Sequence, residues 1–471
     1  MASSSSEAGR GNAAGRTTML YDLLDAIAVR GRGLFGFGGT GAEDLDLASL
    51  GRELLSRRGE ASGIALAQRL LAAFEAADAE GRLAFLDALA VDFGADRDAV
   101  EAAIAAYHDA PGAETLDRVH QASEPRRQEL IRRMNTAPGG TAALIRMREA
   151  LMGALPVAAR LAPVDADFVH LFSSWFNRGF LMLRPIDWNT PASILEKLIR
   201  YEAVHAINGW DDLKNRLGPP DRRCYGFFHP RLPDDPLIFV EVALTREIPD
   251  RIAPILDTDR VPIAPEDATT AVFYSISNTQ RGLAGVSFGH FLIKQVVEEL
   301  RRELPGLKTF VTLSPVPRFA RWLAEQRQAE EPDLDPALVA ALDVIDGPGW
   351  QDDAEIVEAV REPFLAAAAY YFLEARDRLG RVPDPIARFH LGNGARLEQL
   401  DMLGDTSPKG MEQAHGLMVN YLYDPQKIEA NHEAFAERGE VIASQSVRKA
   451  LKRGTGAAAP RALARTQRSK S

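Results

Sequence analysis

The sequence of 471 residues contains a single cysteine, Cys224, and this scarcity excludes two kinds of covalent support. One thiol cannot form an intrachain disulfide, and it cannot supply the several thiolates of a structural zinc site. No HExxH motif occurs and the nine histidines are scattered, so the sequence predicts no bound metal. A chain with so little cysteine suits a reducing compartment, and we expect a cytoplasmic protein.

Long apolar runs and an excess of positive charge are also missing. No stretch approaches the roughly 18 uninterrupted apolar residues that a membrane helix requires. The formal net charge of −11 opposes broad nucleic-acid binding, because phosphate-driven affinity needs a cationic surface. The fingerprints GxGxxG and GxxxxGK[ST] are absent, which disfavours Rossmann and P-loop proteins. We expect a soluble protein without nucleic-acid or membrane partners.

The first third of the chain has a helical pattern, with apolar residues returning every three or four positions, as in "IALAQRLLAAFEAAD". We predict a disordered tail over residues 1–16 and a helical bundle over residues 17–166 that provides a surface for self-association. The expected helix breaks are Gly59, Gly63, Gly94, Pro111-Gly112 and the "APGG" of residues 137–140.

The remainder has a different character, with β-branched and aromatic runs such as "PLIFVEVAL", "TAVFYSIS" and "LKTFVTLSPVP". These runs predict buried strands, and helical stretches lie between and after them. We therefore predict an α/β or α+β domain with a mixed sheet over residues 167–453. A second disordered tail is expected over residues 454–471.

A glycine-bearing loop precedes the most amphipathic of the predicted helices. Gly282, Gly285 and Gly289 follow a predicted strand, and glycine lets backbone N–H groups approach a ligand at a helix N-terminus. An anion such as a phosphate fits this arrangement, although the glycines also suit simple turn geometry. The predicted apolar face of the helix consists of Leu292, Ile293, Val296, Val297, Leu300 and Leu304.

Two polar side chains are candidates for chemistry. Ser314 ends a predicted strand before Pro315 and Pro317, and it lacks the GxSxG elbow of an acyl-enzyme nucleophile. His390 stands just before a Gly-Asn-Gly turn. Each also has a structural interpretation, as a turn cap for the serine and as a packed side chain for the histidine.

Several long strings together resemble the malonyl-CoA decarboxylase family. They are "YEAVHAINGWDDLKNRLGPPDRRCYGFFHP", "VFYSISNTQRGLAGVSFGHFLIKQVVEELRRELPGLKTFVTLSPVPRF", "RFHLGNGA" and "GLMVNYLYDP", in that order between Asp167 and Asp424. The resemblance implies a catalytic domain of the GNAT acyl-CoA-binding type after an N-terminal helical domain. It also implies malonyl-CoA as the substrate.

The resemblance assigns roles to particular residues. The loop that cradles the pyrophosphate of coenzyme A maps to Ala284, Gly285, Val286, Ser287, Phe288, Gly289 and His290. It departs from the usual Q/R-x-x-G-x-G/A pattern at Ala284 and Ser287. The catalytic pair maps to Ser314 and His390, and Tyr423 to a tyrosine near the pocket. Asn393 and Lys409 are further candidates for polar or phosphate contacts, or are merely a turn residue and a solvated charge.

The implied reaction is the loss of carbon dioxide from malonyl-CoA without biotin, metal or pyridoxal phosphate. It needs stabilisation of an enolate and protonation of carbon, so we expect Ser314 to position and polarise the malonyl group and His390 to act as general acid. A serine that relays the proton, with the histidine behind it, is the alternative. Two other functions stay open, namely a CoA-dependent acyltransferase and a non-catalytic acyl-CoA sensor. We expect a homo-oligomer, a dimer or tetramer, assembled through the helical domain.

Overall fold

The computed structural model describes residues 46–56, 59–286 and 292–454, which form two compact units. The helical unit consists of the described residues up to Leu181 together with residues 229–233 and 280–286. The sheet unit contains residues 182–228, 234–279 and the described residues from Leu292 onward. The predicted tail of residues 1–16, residues 17–45 of the predicted bundle and residues 455–471 of the predicted C-terminal tail lie outside the described residues. Gly454, the first residue of that predicted tail, is instead the last residue of a helix.

The helical unit is built from amphipathic helices whose apolar stripes face one another. Phe74, Phe85, Leu89, Leu130 and Leu144 are almost fully buried, and the rings of Phe74 and Phe85 meet edge to face at 5.8 Å. The helices are α1 Leu47–Ser56, α2 Glu60–Ala76, α3 Ala79–Val91, α4 Arg97–Asp109, α5 Ala113–Ser123, α6 Arg126–Asn135, α7 Gly140–Ala154 and α8 Ala162–Trp175.

The predicted helix breaks are right with one exception. Gly59 immediately precedes α2, Gly94 separates α3 from α4, and Gly139 adopts φ +69° just before α7. Gly63 lies inside α2, so the prediction of a break there is wrong. A single glycine costs a helix only about 1 kcal/mol, and the buried face of α2 outweighs that cost.

The helical unit extends further than the sequence pattern suggested. Helix α8 begins at Ala162 and crosses the expected domain boundary at residues 166/167 without interruption. Its buried residues Val164, Phe168 and Phe172 form one face. Because the packing of this face stabilises the helix, the helix continues beyond the point where the composition of the sequence changes.

The sheet unit contains a mixed eight-stranded sheet in the order β1-β2-β3-β4-β5-β8-β6, with β7 also paired to β8. The β4–β5 pair is parallel, whereas the β1–β2 and β3–β4 pairs, and the pairs that β8 makes with β5, β6 and β7, are antiparallel. The strands are β1 Met182–Pro185, β2 Arg222–His229, β3 Leu232–Thr245, β4 Thr270–Asn278, β5 Thr309–Thr312, β6 Ser314–Pro315, β7 Arg396–Asp401 and β8 Met418–Leu422.

The hydrogen-bonded pairing between β4 and β5 ends halfway along β4. Pairing with β5 covers Thr270 to Phe273, and at that point Tyr274 has no opposite residue on β3, which is a β-bulge. Bulges bend a strand and often lie beside functional sites. The carboxyl ends of parallel strands are a favoured place for ligand crevices in open sheets, and here β4 continues to Asn278 beyond its pairing with β5.

Helices of the sheet unit pack on this sheet. In α12, Leu292–Glu303, five residues of the predicted apolar face are buried, namely Leu292, Ile293, Val296, Val297 and Leu300. The sixth, Leu304, lies one residue past the end of the helix and is half-buried. The predicted fold class, a helical N-terminal part followed by a mixed-sheet domain, is confirmed. The helices are α9 Ala192–Tyr201, α10 Trp210–Leu217, α11 Ala253–Leu256, α12 Leu292–Glu303, α13 Phe319–Gln328, α14 Pro336–Ala341, α15 Ala354–Leu373, α16 Pro385–Gly392, α17 Pro408–Ala414, α18 Ile428–Arg438 and α19 Gln445–Gly454.

Candidate active site

Ser314 is held inside the sheet. Ser314 is the first residue of β6, pairs with Val419 of β8 and is only 5% exposed. The Ser314 hydroxyl donates to Thr312 Oγ1 at 2.8 Å, and Thr312 Oγ1 also accepts the backbone N–H of Tyr421. Ser314 therefore has a fixed hydroxyl at the end of the β5–β6 segment.

His390 lies in the last turn of α16, where local sequence signals set the helix. Asp384 caps its N-terminus by accepting the N–H groups of Ile386 and Ala387 at 2.8 and 2.9 Å, and Pro385 occupies the first position. The chain turns away at Gly394, whose φ is +80°. A β-carbon there would lie 2.1 Å from the Ile428 carbonyl oxygen, so only glycine fits.

The structure brings Ser314, His390 and Tyr423 together. The Ser314 Oγ lies 3.2 Å from His390 Nε2, and the Tyr423 hydroxyl lies 2.8 Å from His390 Nδ1. The imidazole also stacks on the ring of Tyr421, with ring centres 4.6 Å apart and an interplanar angle of 24°. Tyr421 and Tyr423 are two residues apart, so the alternation of an extended chain directs both toward the same face.

Burial keeps this chain of groups uncharged at neutral pH. It lowers the pKa of His390 to about 3, and it raises the pKa of Tyr423 well above its ordinary value. Among the described residues, no carboxylate hydrogen-bonds to the His390 ring. A Ser-His-Asp triad depends on such a carboxylate to stabilise the imidazolium, so Ser314 and His390 lack the third member of that triad among the described residues.

The proton order along the chain has two possibilities. In the first, the Tyr423 O–H donates to Nδ1 and the Nε2–H donates to Ser314 Oγ. The Ser314 hydroxyl then donates its own hydrogen to Thr312 Oγ1. In the opposite tautomer Nδ1–H donates to the Tyr423 oxygen and the Ser314 hydroxyl donates to Nε2, so that Ser314 no longer donates to Thr312 Oγ1. In either arrangement Ser314, His390 and Tyr423 form one chain of neutral, hydrogen-bonded groups.

Thr312 and Tyr421 were missed in the sequence. Each lies two residues before a residue that was identified, Ser314 and Tyr423 respectively. In extended segments that spacing places side chains on one face, so a search at positions i−2 would have found both.

The predicted cradle is only partly within the described residues. Ala284, Gly285 and Val286 belong to the helical unit, whereas Ser287, Phe288, Gly289 and His290 lie outside the described residues. The N–H groups of Leu283, Ala284 and Val286 donate to backbone carbonyls within the loop. Gly285, with φ +78°, has an N–H without a partner in the described part of the chain. It is the N–H of this stretch that can meet an anion.

Gly282, which lies before the predicted cradle, is in close contact with α7. A β-carbon at this position would lie 2.0 Å from the carbonyl oxygen of Ile145 in α7. Its own carbonyl accepts a 2.8 Å hydrogen bond from Arg148, which also pairs with Asp165. The contact is with a residue more than 130 positions away in the chain, so no local pattern could have indicated it.

Asn393 and Lys409 both bind backbone carbonyls. Asn393 Nδ2 donates to Phe389 O at 2.7 Å, which closes the end of α16. Lys409 Nζ donates to Ala203 O and Val204 O at 3.0 and 3.2 Å. The Asn393 contact agrees with its interpretation as a turn residue, whereas the two carbonyl contacts of Lys409 match neither a phosphate contact nor a solvated charge. In the described part of the chain, no group of three or more His, Cys, Asp or Glu side chains is arranged to hold a metal ion.

Comparison with known proteins places this geometry in a family. A family model of the malonyl-CoA decarboxylase C-terminal domain matches residues 179–460, and one of the N-terminal domain matches residues 93–176. The chain belongs to the malonyl-CoA decarboxylase family. Members of this family are carboxy-lyases, so the predicted family and enzyme class are confirmed.

Individual relatives agree with the family assignment. The mitochondrial malonyl-CoA decarboxylase of Anser anser anser is 34% identical over 400 residues, which cover 78% of this chain and 79% of that protein. The crystal structure of the malonyl-CoA decarboxylase from Rhodopseudomonas palustris is 62% identical, with a TM-score of 0.83, over 86% of this chain and 98% of that one. The enzyme from Agrobacterium vitis is 57% identical, with a TM-score of 0.82, over 86% and 99%.

Proposed function

We propose that this protein decarboxylates malonyl-CoA to acetyl-CoA and carbon dioxide. The observation that carries the proposal is the uncharged, buried hydrogen-bonded chain of Ser314, His390 and Tyr423, within the part of the sequence that matches the family's C-terminal domain. Breaking the bond between C2 and the carboxylate releases carbon dioxide and leaves the electron pair on the thioester as an enolate. The thioester carbonyl is itself the electron sink, so the reaction needs no biotin, metal or pyridoxal phosphate.

Ser314 positions and polarises the malonyl group in this proposal. Its hydroxyl is fixed by Thr312 and by His390, which limits the orientations open to it. When the substrate is bound, the hydroxyl can turn its single hydrogen from Thr312 Oγ1 to the thioester oxygen and stabilise the charge that develops there.

His390 delivers the proton to C2. In the free site its ring is neutral, because burial lowers its pKa to about 3. The carboxylate of a bound malonyl group supplies an opposite charge, and such a charge within about 4–6 Å raises an imidazole pKa. We therefore infer that substrate binding favours protonation of His390, and that the imidazolium then gives this proton to the enolate carbon.

We propose that the glycine loop of residues 284–290 binds the carrier part of the substrate, with Gly285 as the donor that lies within the described residues. An unpartnered N–H at a positive-φ glycine supports the binding of a pyrophosphate oxygen. Tyr423 lies beside the malonyl group of the substrate in this proposal, because its hydroxyl is hydrogen-bonded to His390.

Assembly and location are part of the proposal. We propose a dimer or tetramer formed through the helical domain, and we propose that the enzyme acts in the cytoplasm. Cys224 is buried, which suits a thiol that stays reduced. Among the described helices, none is sufficiently long and apolar to cross a membrane.

The test is a product assay on purified protein in buffer containing EDTA and cleared of biotin with avidin. With malonyl-CoA as substrate, we expect carbon dioxide and acetyl-CoA in equal amounts and no free thiol. Release of thiol from acetyl-CoA in the presence of an amine would instead indicate an acyltransferase. Saturable binding of malonyl-CoA without any turnover would indicate a sensor, and either result would overturn the proposal.

A further inference from the structure

The pairing of β8 with its neighbours β5 and β6 is interrupted beside Ser314. On β8, Leu422 pairs with β5 and Val419 pairs with β6, in the same register. Asn420 and Tyr421 lie between these two pairs and, among the described residues, are not part of the ladder on this side of β8. A gap in the ladder therefore lies next to Ser314.

Side chains make the hydrogen bonds in this gap. Tyr423 N donates to Phe310 O on β5. In an antiparallel ladder such bonds recur at every second residue, so Tyr421 N is expected to donate to Thr312 O. Instead Tyr421 N donates to Thr312 Oγ1 at 3.3 Å, and Thr312 O accepts from Asn420 Nδ2 at 2.8 Å. Asn420 therefore takes the carbonyl that the ladder would use.

The Asn420 amide is fully buried and its orientation is determined by its partners. Asn420 is 0% exposed, and its Nδ2 also donates at 3.3 Å to Pro249 O in the loop after β3. Both acceptors are carbonyl oxygens, which cannot donate, so the nitrogen of the amide must face them. One side chain thus connects β8 with the end of β5 and with a third segment.

This arrangement places Thr312 Oγ1 where it accepts the hydrogen of Ser314. The Ser314 hydroxyl donates to Thr312 Oγ1 at 2.8 Å, and His390 Nε2 lies 3.2 Å from the same serine oxygen. Ser314 has one hydrogen, so a serine that donates to Thr312 has to accept from His390. The neutral imidazole then carries its hydrogen on Nε2 and accepts the Tyr423 hydroxyl at Nδ1. Thr312 therefore selects one of the two proton orders.

We propose that Asn420 and Thr312 fix the tautomer of His390, and that this tautomer keeps Ser314 available as a donor to the substrate. With its hydrogen on Nε2, His390 donates to the serine oxygen, and the serine hydrogen is free to turn to the thioester oxygen. In the other tautomer Nε2 accepts that hydrogen, and Ser314 has none for the substrate. Asn420 and Thr312 are positioning residues, because they act through Ser314 and His390. The tautomer is assigned from hydrogen-bond geometry, whereas its effect on turnover rests on the proposed decarboxylase function.

¹⁵N NMR of the His390 ring in the free protein tests the tautomer. We expect the hydrogen on Nε2 in the wild type and in Thr312→Ser, which keeps the hydroxyl. Thr312→Val replaces the hydroxyl by a methyl group, so Ser314 should donate to Nε2 and the ring should carry its hydrogen on Nδ1. Hydrogen on Nδ1 in the wild type, or no change in Thr312→Val, would overturn the proposal. This readout needs no turnover, so it separates a failure of this proposal from a failure of the proposed function.

Asn420→Leu tests the amide, because it removes both donors and keeps a buried side chain of similar size. Thr312 O is then open to Tyr421 N, and Thr312 Oγ1 loses the N–H that holds it in place. We expect the same change of tautomer as in Thr312→Val, with kcat about tenfold lower and KM for malonyl-CoA unchanged. Asn420→Ala removes the same donors and gives the same test if Asn420→Leu does not fold. The wild-type tautomer in a folded variant would remove Asn420 from this role.

Asn431→Ala is the matched control for the loss of a buried amide. Asn431 is 8% exposed and its Nδ2 donates to Gly394 O at 3.1 Å, so the variant should lose stability but retain the tautomer and kcat of the wild type. Combining Asn420→Leu with Thr312→Val should lower kcat no further than Thr312→Val alone, since both act on the same hydrogen bond. Additive losses, or a changed tautomer in Asn431→Ala, would contradict the proposed coupling.

Discussion

The helical unit and the sheet unit differ in whether their buried polar side chains have hydrogen-bond partners. In the helical unit the buried Arg127 pairs with Asp167, which also accepts from Gln128, and Arg148 pairs with Asp165. Among the described residues, the buried side-chain atoms without any hydrogen-bond partner all lie in the sheet unit. Burial there also shifts the pKa of His390 to about 3, of His205 to about 4 and of Asp401 to about 8.

The difference teaches where function resides. Perturbed and unsatisfied buried groups are enriched where a ligand or a proton is received. The comparison therefore favours the sheet unit as the place of the proposed proton transfer, whereas Gly285, the proposed donor to the carrier part of the substrate, belongs to the helical unit. Four substitutions test it, from the largest expected effect to the smallest.

Removing His390 should have the largest effect. We expect His390→Ala to lower kcat by about 10²–10⁴-fold, the usual contribution of a general acid, while binding of coenzyme A is retained. His120→Ala, at an exposed histidine of the helical unit, is the control and should be silent. Equal effects of the two substitutions would break the comparison between the units.

Arg127→Ala should have a large effect on stability in the helical unit. It leaves Asp167 as a buried carboxylate without its arginine, which typically costs about 3–5 kcal/mol. Thermal unfolding checks this, with Arg97→Ala as control, because the Arg97–Glu101 pair is exposed and should contribute about 0.3–0.5 kcal/mol. A loss of less than 1 kcal/mol for Arg127→Ala would mean that this pairing does not hold the unit together.

Asp401→Asn should change how stability depends on pH. Burial raises the folded-state pKa of Asp401 to about 8, above its unfolded value. The folded state then holds a proton that the unfolded state has lost, so stability falls as pH rises from about 4 to about 8, by at most about 1.4 kcal/mol per pH unit. The substitution should remove this loss in urea titrations at pH 5 and pH 8. If the free energy of unfolding of the variant still fell between pH 5 and pH 8 by as much as that of the wild type, this prediction would be wrong.

Tyr423→Phe should have the smallest of the four effects. It removes the hydroxyl that contacts His390 Nδ1 but keeps the ring that packs edge to face against Phe273. We expect a fall in kcat of about tenfold, consistent with one lost hydrogen bond to a neutral group. A fall as large as that of His390→Ala would instead make Tyr423 a participant in proton transfer.

The predictable parts of the structure were those fixed by local pattern. The strings "PLIFVEVAL" and "TAVFYSIS" became β3 and β4, and the apolar face of α12 was read correctly, because burial follows periodicity. The packing of Gly282 on Ile145 depends on a contact between distant segments. The pKa of His390 likewise depends on full burial, which a single histidine in a sequence does not reveal.

The most direct test of the central claim, an uncharged site that becomes charged only with substrate, is the protonation state of His390 measured by ¹⁵N NMR. In the free protein we expect its ring to remain neutral from pH 8 down to pH 5. A malonyl-CoA analogue that keeps the carboxylate but cannot lose carbon dioxide should raise its pKa. A free-state pKa near 6.5, or no response to the analogue, would contradict the account.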